Sequence, residues 1–264
     1  MSKNDYGSDS LFLQRLEDMV CVCTEKYVPQ FTHFLDGKSL KIALEYLSRC
    51  SDIVVLCNGG FVNAERCVIG IYPKDIYGYV DCATDEMTEL MNIKGLVIEG
   101  SGFSSFSHRD CMGAVLALGI KREVLGDIYL PKDSSLAYIC LTEVAANYLC
   151  ENIEFIGKDK VKTRIIDVSL LPEIVREFVV ISGTVASDRL DSIVSLATKL
   201  SREKAKQLVS SGMIKVNHFE EIRADFQVDE GDVLSIRGFG RYVVSELPGI
   251  TKKGRNKVII HKMI

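Results

Sequence analysis

Two rhythms of apolar positions run through the first part of the chain. In residues 11–27, Phe12, Leu16, Met19, Val20 and Cys23 fall on one face at helical spacing, and Pro29 ends the run. Residues 32–37 read as a loop. Residues 38–50 repeat the helical rhythm with Leu40, Ala43, Leu44 and Leu47 inward. The rhythm then changes to β-rich runs at 52–57 and 64–72. The first is closed by Asn58-Gly59-Gly60 and the second by Pro73. This predicts a small α/β unit. The glycine pair there is a turn, since no Gly-Lys-Ser/Thr follows to make a phosphate loop.

From about residue 77 the pattern is different. Strands are expected at 96–98, 127–130, 136–140 and 161–166. Helices capped by Ser107 and Thr142 run to about residues 118 and 152. The resulting order, β-α-β-β-α-β, is that of a ferredoxin-like (RRM-like) domain. RNA-recognition modules of this topology stack bases on aromatics of the central strands, and Tyr138 is the one obvious candidate here. His108-Arg109-Asp110 looks like a kinase catalytic loop, but position 115 is Val where Asn is needed. It is read instead as a helix N-terminus, with Asp110 complementing the dipole.

The last part of the chain alternates again. Leu190, Ile193, Val194, Ala197 and Leu200 mark a helix that Ser187 or Asp188 could cap. Ser201 caps a second helix with Ala205, Leu208 and Val209 inward, and Gly212 ends it. Ile214 and Val216 flank Lys215 in a short strand. Val233, Leu234 and Ile236 form another, and Tyr242, Val243 and Val244 form the return. Two short helices leaning on a small sheet are expected.

Length and composition then bound the picture. At 264 residues, with 47% hydrophobic and 26% charged residues, the chain suits a soluble α+β protein of two or three domains. Three are expected: an N-terminal α/β domain at 1–75, the central domain at 76–169 and a C-terminal domain at 180–264. A hinge falls at 169–173, with Pro172. No apolar run spans a membrane, and residues 1–10 are polar, without a signal-peptide core. The nine cysteines, among them Cys57, Cys67, Cys82, Cys111 and Cys140, lack Cys-x-x-Cys spacing and read as buried free thiols in a reducing cytoplasm. His33, His108, His218 and His261 lack ligand spacing, so no metal and no cofactor are expected.

Charge is uneven. The chain carries −4 overall, yet the part from Gly183 onward is about +4, which leaves about −8 for the rest. A basic surface at one end of an acidic protein points to a polyanion partner there, although charges that merely solvate a small domain account for it equally well. Arg109, Lys121 and Arg122 could make a second local patch, but a solvated face is the plainer reading.

The pattern Arg-Leu-Asp (189–191), Ser-Arg (201–202), Gly-x-Ile-x-Val-Asn (212–217) and Gly-Asp-x-Leu-x-Ile-Arg-Gly-x-Gly-Arg (231–241) resembles the S4 RNA-binding domain. That resemblance implies a two-helix face gripping structured RNA. Arg189, Lys199, Ser201, Arg202, Lys206, Lys215, Asn217, Arg237 and Arg241 would be its RNA-binding residues. His218 departs from the family's glycine after Asn, which bears on the turn, although Asn itself tolerates left-handed φ. Further stretches are similar to the bacterial YlmH family: Ala-Glu-Arg (64–66), His-Arg-Asp-x-x-Gly-Ala (108–114), Leu-Gly-Ile-x-Arg-Glu-x-x-Gly-Asp-Ile (118–128) and Val-Ile-Ser-Gly-Thr-Val-Ala-Ser (180–187).

The family resemblance implies a non-catalytic, cytoplasmic, monomeric binder of rRNA, and of tRNA, on the large ribosomal subunit. It would act in rescue of stalled translation, with no DNA or membrane partner. The alternative is an RNA-modifying enzyme, a pseudouridine synthase or methyltransferase, directed by an S4 module. Against it, Asp191 reads as a brace for Arg189, and Gly100-Ser101-Gly102 is too weak a nucleotide-binding signal.

Overall fold

The computed structural model describes residues 3–78, 83–102, 105–132, 134–174, 177–249 and 254–263. It is a mixed α and β protein whose chain divides into two compact units, Ser2–Ile174 and Val175–Ile264. The boundary expected at residues 75/76 lies inside the first unit.

The first unit opens with helix α1 (Lys3–Lys26), which starts eight residues before the expected position. It ends where Tyr27 turns left-handed, at φ 56°, ahead of Pro29. Strand β1 (Gln30–Phe31) follows, just ahead of the stretch expected as loop. Helix α2 (Gly37–Leu47) is capped by Asp36, whose carboxylate accepts from Ser39 N at 2.9 Å. Strands β2 (Ile53–Asn58) and β3 (Val68–Pro73) complete an antiparallel sheet in the order β1-β3-β2. Gly59 has to be glycine here, because a Cβ would lie 2.4 Å from Ala64 Cβ and from the Arg66 carbonyl. Short helices α3 (Lys74–Tyr77) and α4 (Ala83–Leu90) lead on.

The central stretch then runs β4 (Ile93–Glu99), α5 (His108–Ala117), β5 (Leu125–Tyr129), β6 (Leu136–Thr142), α6 (Glu143–Asn152), a small hairpin of β7 (Phe155–Ile156) and β8 (Asp159–Lys160), and β9 (Lys162–Ile166). The four long strands pair antiparallel in the order β5-β6-β4-β9. Ser107 caps α5 as expected and accepts from Asp110 N at 3.1 Å. Thr142 stands at the start of α6 but makes no side-chain cap bond. Alternation along β6 sends Ala137, Ile139 and Leu141 into a core shared with α5 and α6, and Tyr138 and Cys140 to the other face.

That other face is occupied. Phe34, Phe61, Tyr72, Met87 and Cys140 form one apolar cluster, with Tyr129 and Tyr138 packed against it. The Tyr72 hydroxyl donates to the Met87 carbonyl. Tyr138 is therefore a packing residue under the first sheet, which is why base stacking on this sheet is not open to it.

Arg66 ties the two sheets together. Its Nε donates to Leu125 O at 2.8 Å, and its Nη2 donates to Phe34 O and Arg122 O, both at 2.9 Å. The neighbouring Glu65 N donates to Asp127 Oδ2 at 2.6 Å. Burial pulls the Arg66 guanidinium below its ordinary pKa, though it remains charged at neutral pH. Arg66→Met would leave three carbonyls without this donor. It is expected to cost the first unit about 2–4 kcal/mol in a denaturant titration. A loss under about 0.5 kcal/mol would mean that the bonds are replaced by water.

The cysteines among the described residues form no disulfide, and burial pushes the Cys23, Cys67 and Cys111 thiols up to about 11. Cys57, near the end of β2, is exposed, contrary to expectation. Cys82 lies outside the described residues.

The second unit is a six-stranded antiparallel sheet with two helices on one face. Its elements are β10 (Phe178–Val185), α7 (Leu190–Thr198), α8 (Arg202–Ser210), β11 (Ile214–Val216), β12 (Phe219–Glu220), β13 (Val233–Ile236), β14 (Gly240–Glu246) and β15 (Asn256–Met263). The strand order is β10-β15-β14-β13-β11-β12. The sequence reading held no strands at β10, β12 or β15. Leu190, Ile193, Val194, Ala205 and Val209 from the helices meet Ile214, Leu234, Tyr242, Val244 and Ile260 from the sheet in one core.

The β11–β12 hairpin closes on Asn217 (φ 49°) and His218 (φ 74°), both left-handed, which is the signature of a type I′ turn. The glycine missing at 218 thus leaves the turn in place and puts a side chain where glycine is preferred. His218→Gly is expected to stabilise the second unit by about 0.5–1 kcal/mol, read as a raised melting midpoint. A lowered midpoint would show that His218 contributes packing worth more than its backbone strain.

Candidate nucleic-acid interface

The corner between α7 and α8 is built around one carboxylate. Asp191 sits in the first turn of α7 and is only 3% exposed. Its Oδ1 accepts from Arg189 Nε and its Oδ2 from Arg202 Nε, both at 3.3 Å. The Ser192 hydroxyl also donates to Oδ1. One buried anion thus orients the guanidinium that opens the first helix and the one that opens the second. Burial alone would push the Asp191 carboxyl up. The hydrogen bond and charge of Arg202, with those of Arg189, outweigh that and hold it below the ordinary carboxylate range.

The turn between the helices is closed by side chains. Lys199 ends α7 in the left-handed region at φ 60°, with no glycine to do so. Thr198 Oγ1 donates to Val194 O, and Ser195 Oγ to Leu200 O, each at 2.7 Å. Ser201 caps α8, accepting from Lys204 N at 3.4 Å. Arg189 rather than Ser187 or Asp188 occupies the N-cap position of α7, and it makes no side-chain cap bond. The helix starts later than expected, and its first two amides, of Leu190 and Asp191, donate to Phe226 O and Ala224 O.

The nine sequence-selected residues do not form one surface. Arg189, Lys199, Ser201, Arg202 and Lys206 share the helix corner or the helix leading from it, and the last four are exposed. Lys215 and Arg241 lie on the opposite face of the sheet, both in register with Ser235, since their neighbours Ile214, Val216 and Tyr242 fill the core. Asn217 is structural. Its Nδ2 donates to Asp232 Oδ1 at 2.6 Å, and its Oδ1 accepts from Val233 N at 2.9 Å. Arg237 is exposed in the β13–β14 turn, where its backbone N donates to Met213 O. The motif lined up residues that are close in sequence, but strand alternation divides them between two faces.

One basic residue was missed. Arg255, just before β15, lies beside the α7–α8 corner and donates from Nη2 to Thr184 O at 2.9 Å. The run Lys252-Lys253-Gly254-Arg255 was the available signal. Gly100-Ser101-Gly102 is also accounted for locally: Ser101 N donates to Asp159 Oδ2 at 3.2 Å. Among the described residues, no cluster of His, Cys, Asp and Glu could hold a metal ion, and no helix is long and apolar enough to cross a membrane.

Fold and corner together define an α+β protein that carries a separate two-helix module with a cationic rim. Two family models match the chain: "YlmH, N-terminal" over residues 8–76 and "Putative RNA-binding domain in YlmH" over residues 87–169. Together they span more than half of it, and the chain belongs to the YlmH family. It is 28% identical over 251 residues to the ribosome-associated protein quality control protein P2 of Bacillus subtilis (strain 168), covering 95% of this chain and 94% of that one. Among solved structures it resembles the cell division protein ylmH from Streptococcus pneumoniae, with TM-score 0.50 and 19% identity, over 64% of this chain and 94% of that one. At that identity the likeness speaks for the fold alone.

Proposed function

We propose that this protein is a non-catalytic RNA binder that works on the ribosome, in rescue or quality control of stalled translation on the large subunit. In this reading residues 180–264 are its S4-like RNA-binding domain, and the four-stranded sheet with its two helices is a ferredoxin-like domain beside the N-terminal one. The observation that carries it is the Asp191-centred corner, where a buried carboxylate holds Arg189 and Arg202 beside exposed Lys199 and Lys206. Such a corner suits phosphate and 2′-hydroxyl contacts along A-form RNA, whose deep major groove admits no side chains.

The printed name of the Bacillus subtilis relative supports the ribosomal setting, and the description of the model matching 87–169 supports RNA binding in the family. A non-enzymatic role is supported by Asp191 being engaged by two arginines and by an antiparallel central sheet where a methyltransferase would need a doubly wound parallel one. A cytoplasmic monomer contacting rRNA, and tRNA bound beside it, fits the same reading.

Sedimentation with purified ribosomal particles over a salt series tests it. The logarithm of the binding constant is expected to fall linearly with the logarithm of salt, at a slope of about −0.7 to −0.9 per phosphate neutralised. Binding that ignores salt, or modified nucleosides appearing in rRNA after incubation, would overturn it.

A further inference from the structure

Next to the corner lies a concavity of about 430 Å³ that a helix-gripping surface does not require. Its walls include the aliphatic Val185, Leu196 and Leu200, and its charged side chains are Lys199, Arg202 and Arg255. No carboxylate lines it among the described residues. Two of the three cations are held in place from behind: Arg202 by Asp191, and Arg255 by the Thr184 carbonyl. Lys199 is fixed at the left-handed corner residue. The volume falls within the roughly 300–1,000 Å³ range of pockets that enclose a small molecule.

A continuous A-form strand presents its phosphates as a ridge and leaves a concavity of this kind unfilled. We propose that this pocket takes one unstacked nucleotide, extruded from a loop or bulge. Its phosphate lies among Lys199, Arg202 and Arg255, and its base lies against Leu196 and a guanidinium plane. This rests on the RNA-binding reading above and adds a preference to it. Unpaired bases are commonly held on Arg planes as well as on aromatic rings, and no aromatic ring lines this pocket. The contact needs no base-specific hydrogen bond, so the preference is for an unpaired residue rather than for a particular base.

The test compares the full chain on three labelled RNAs by fluorescence anisotropy: an uninterrupted duplex, the same duplex with one bulged nucleotide, and that duplex with an abasic bulge. The bulged duplex is expected to bind about tenfold tighter than the uninterrupted one, the scale of one stacked base. The abasic bulge should lose most of that gain. Arg255→Ala should erase the preference, so that the bulged and uninterrupted duplexes bind with the same affinity whatever the general loss from one cation fewer. Arg255→Lys, which keeps the charge and removes the planar fork, should also lose the preference while melting like the parent chain.

Equal affinity for bulged and uninterrupted duplexes overturns the pocket and leaves RNA binding standing. A full gain with the abasic bulge reduces the site to a phosphate contact and overturns it as well. So does an Arg255→Ala variant that keeps the preference. If none of the three RNAs binds, the RNA-binding reading itself falls, and the pocket with it.

Discussion

Lys199→Glu combined with Lys206→Glu is expected to release the protein from ribosomal particles and to leave its melting curve unchanged. Both side chains are exposed, one at the helix corner and one on α8. Each reversal removes a cation and sets an anion against phosphate, so the affinity loss should be on the order of a hundredfold. The salt slope should also flatten by about 1.4–1.8, for two phosphates no longer neutralised. Reversing Arg202 would be less informative, because a glutamate there would face the buried Asp191 carboxylate and damage the fold and the surface together. If the double lysine variant still sediments with ribosomes, the corner is not the interface.

Asp191→Ala should act by the opposite route, through stability first. Removing a buried carboxylate normally strands its partners, at 3–5 kcal/mol for a fully buried pair. Here Arg189 and Arg202 are 36% and 52% exposed and can rehydrate, so a loss of about 2 kcal/mol is expected. RNA affinity should fall as well, because two guanidinium groups lose their fixed direction.

The pH dependence follows from the depressed carboxyl. Its folded pKa lies below the unfolded value of about 3.9, so protonation favours the unfolded state. The stabilisation is complete above that value and is lost as pH falls through the folded pKa. Asp191→Asn should therefore be the less stable protein at pH 6, with the gap to the parent chain closing below about pH 4. A gap that persists unchanged at pH 3 would assign the effect to packing.

Much of this architecture was legible in the residues themselves. Ser107 and Ser201 mark the starts of α5 and α8, the apolar period marks α2 and α7, and Asp191 was readable as a brace for Arg189. Three things were not legible. The strand at β10 is an edge strand whose Phe178, Val179 and Val180 are about half exposed, so it lacks the alternation that marks a half-buried strand. The second partner of Asp191, Arg202, comes from a different helix, a contact that no local spacing encodes. The separation of Lys215 and Arg241 from the helix corner depends on the parity of strand positions within the assembled sheet. For the same reason, a motif that spans strands cannot be read as a surface until its register is known.

The order of strands in the second unit also governs when it can form during synthesis. Strand β15, the latest in the chain among the described strands, lies between β10 and β14. Residues 178–185 therefore have no neighbour in the sheet until residues 256–263 have left the exit tunnel. Half-made chains will carry the helix pair without a closed sheet beneath it. The two-helix corner therefore reaches its full support only when strands far apart in the chain have met.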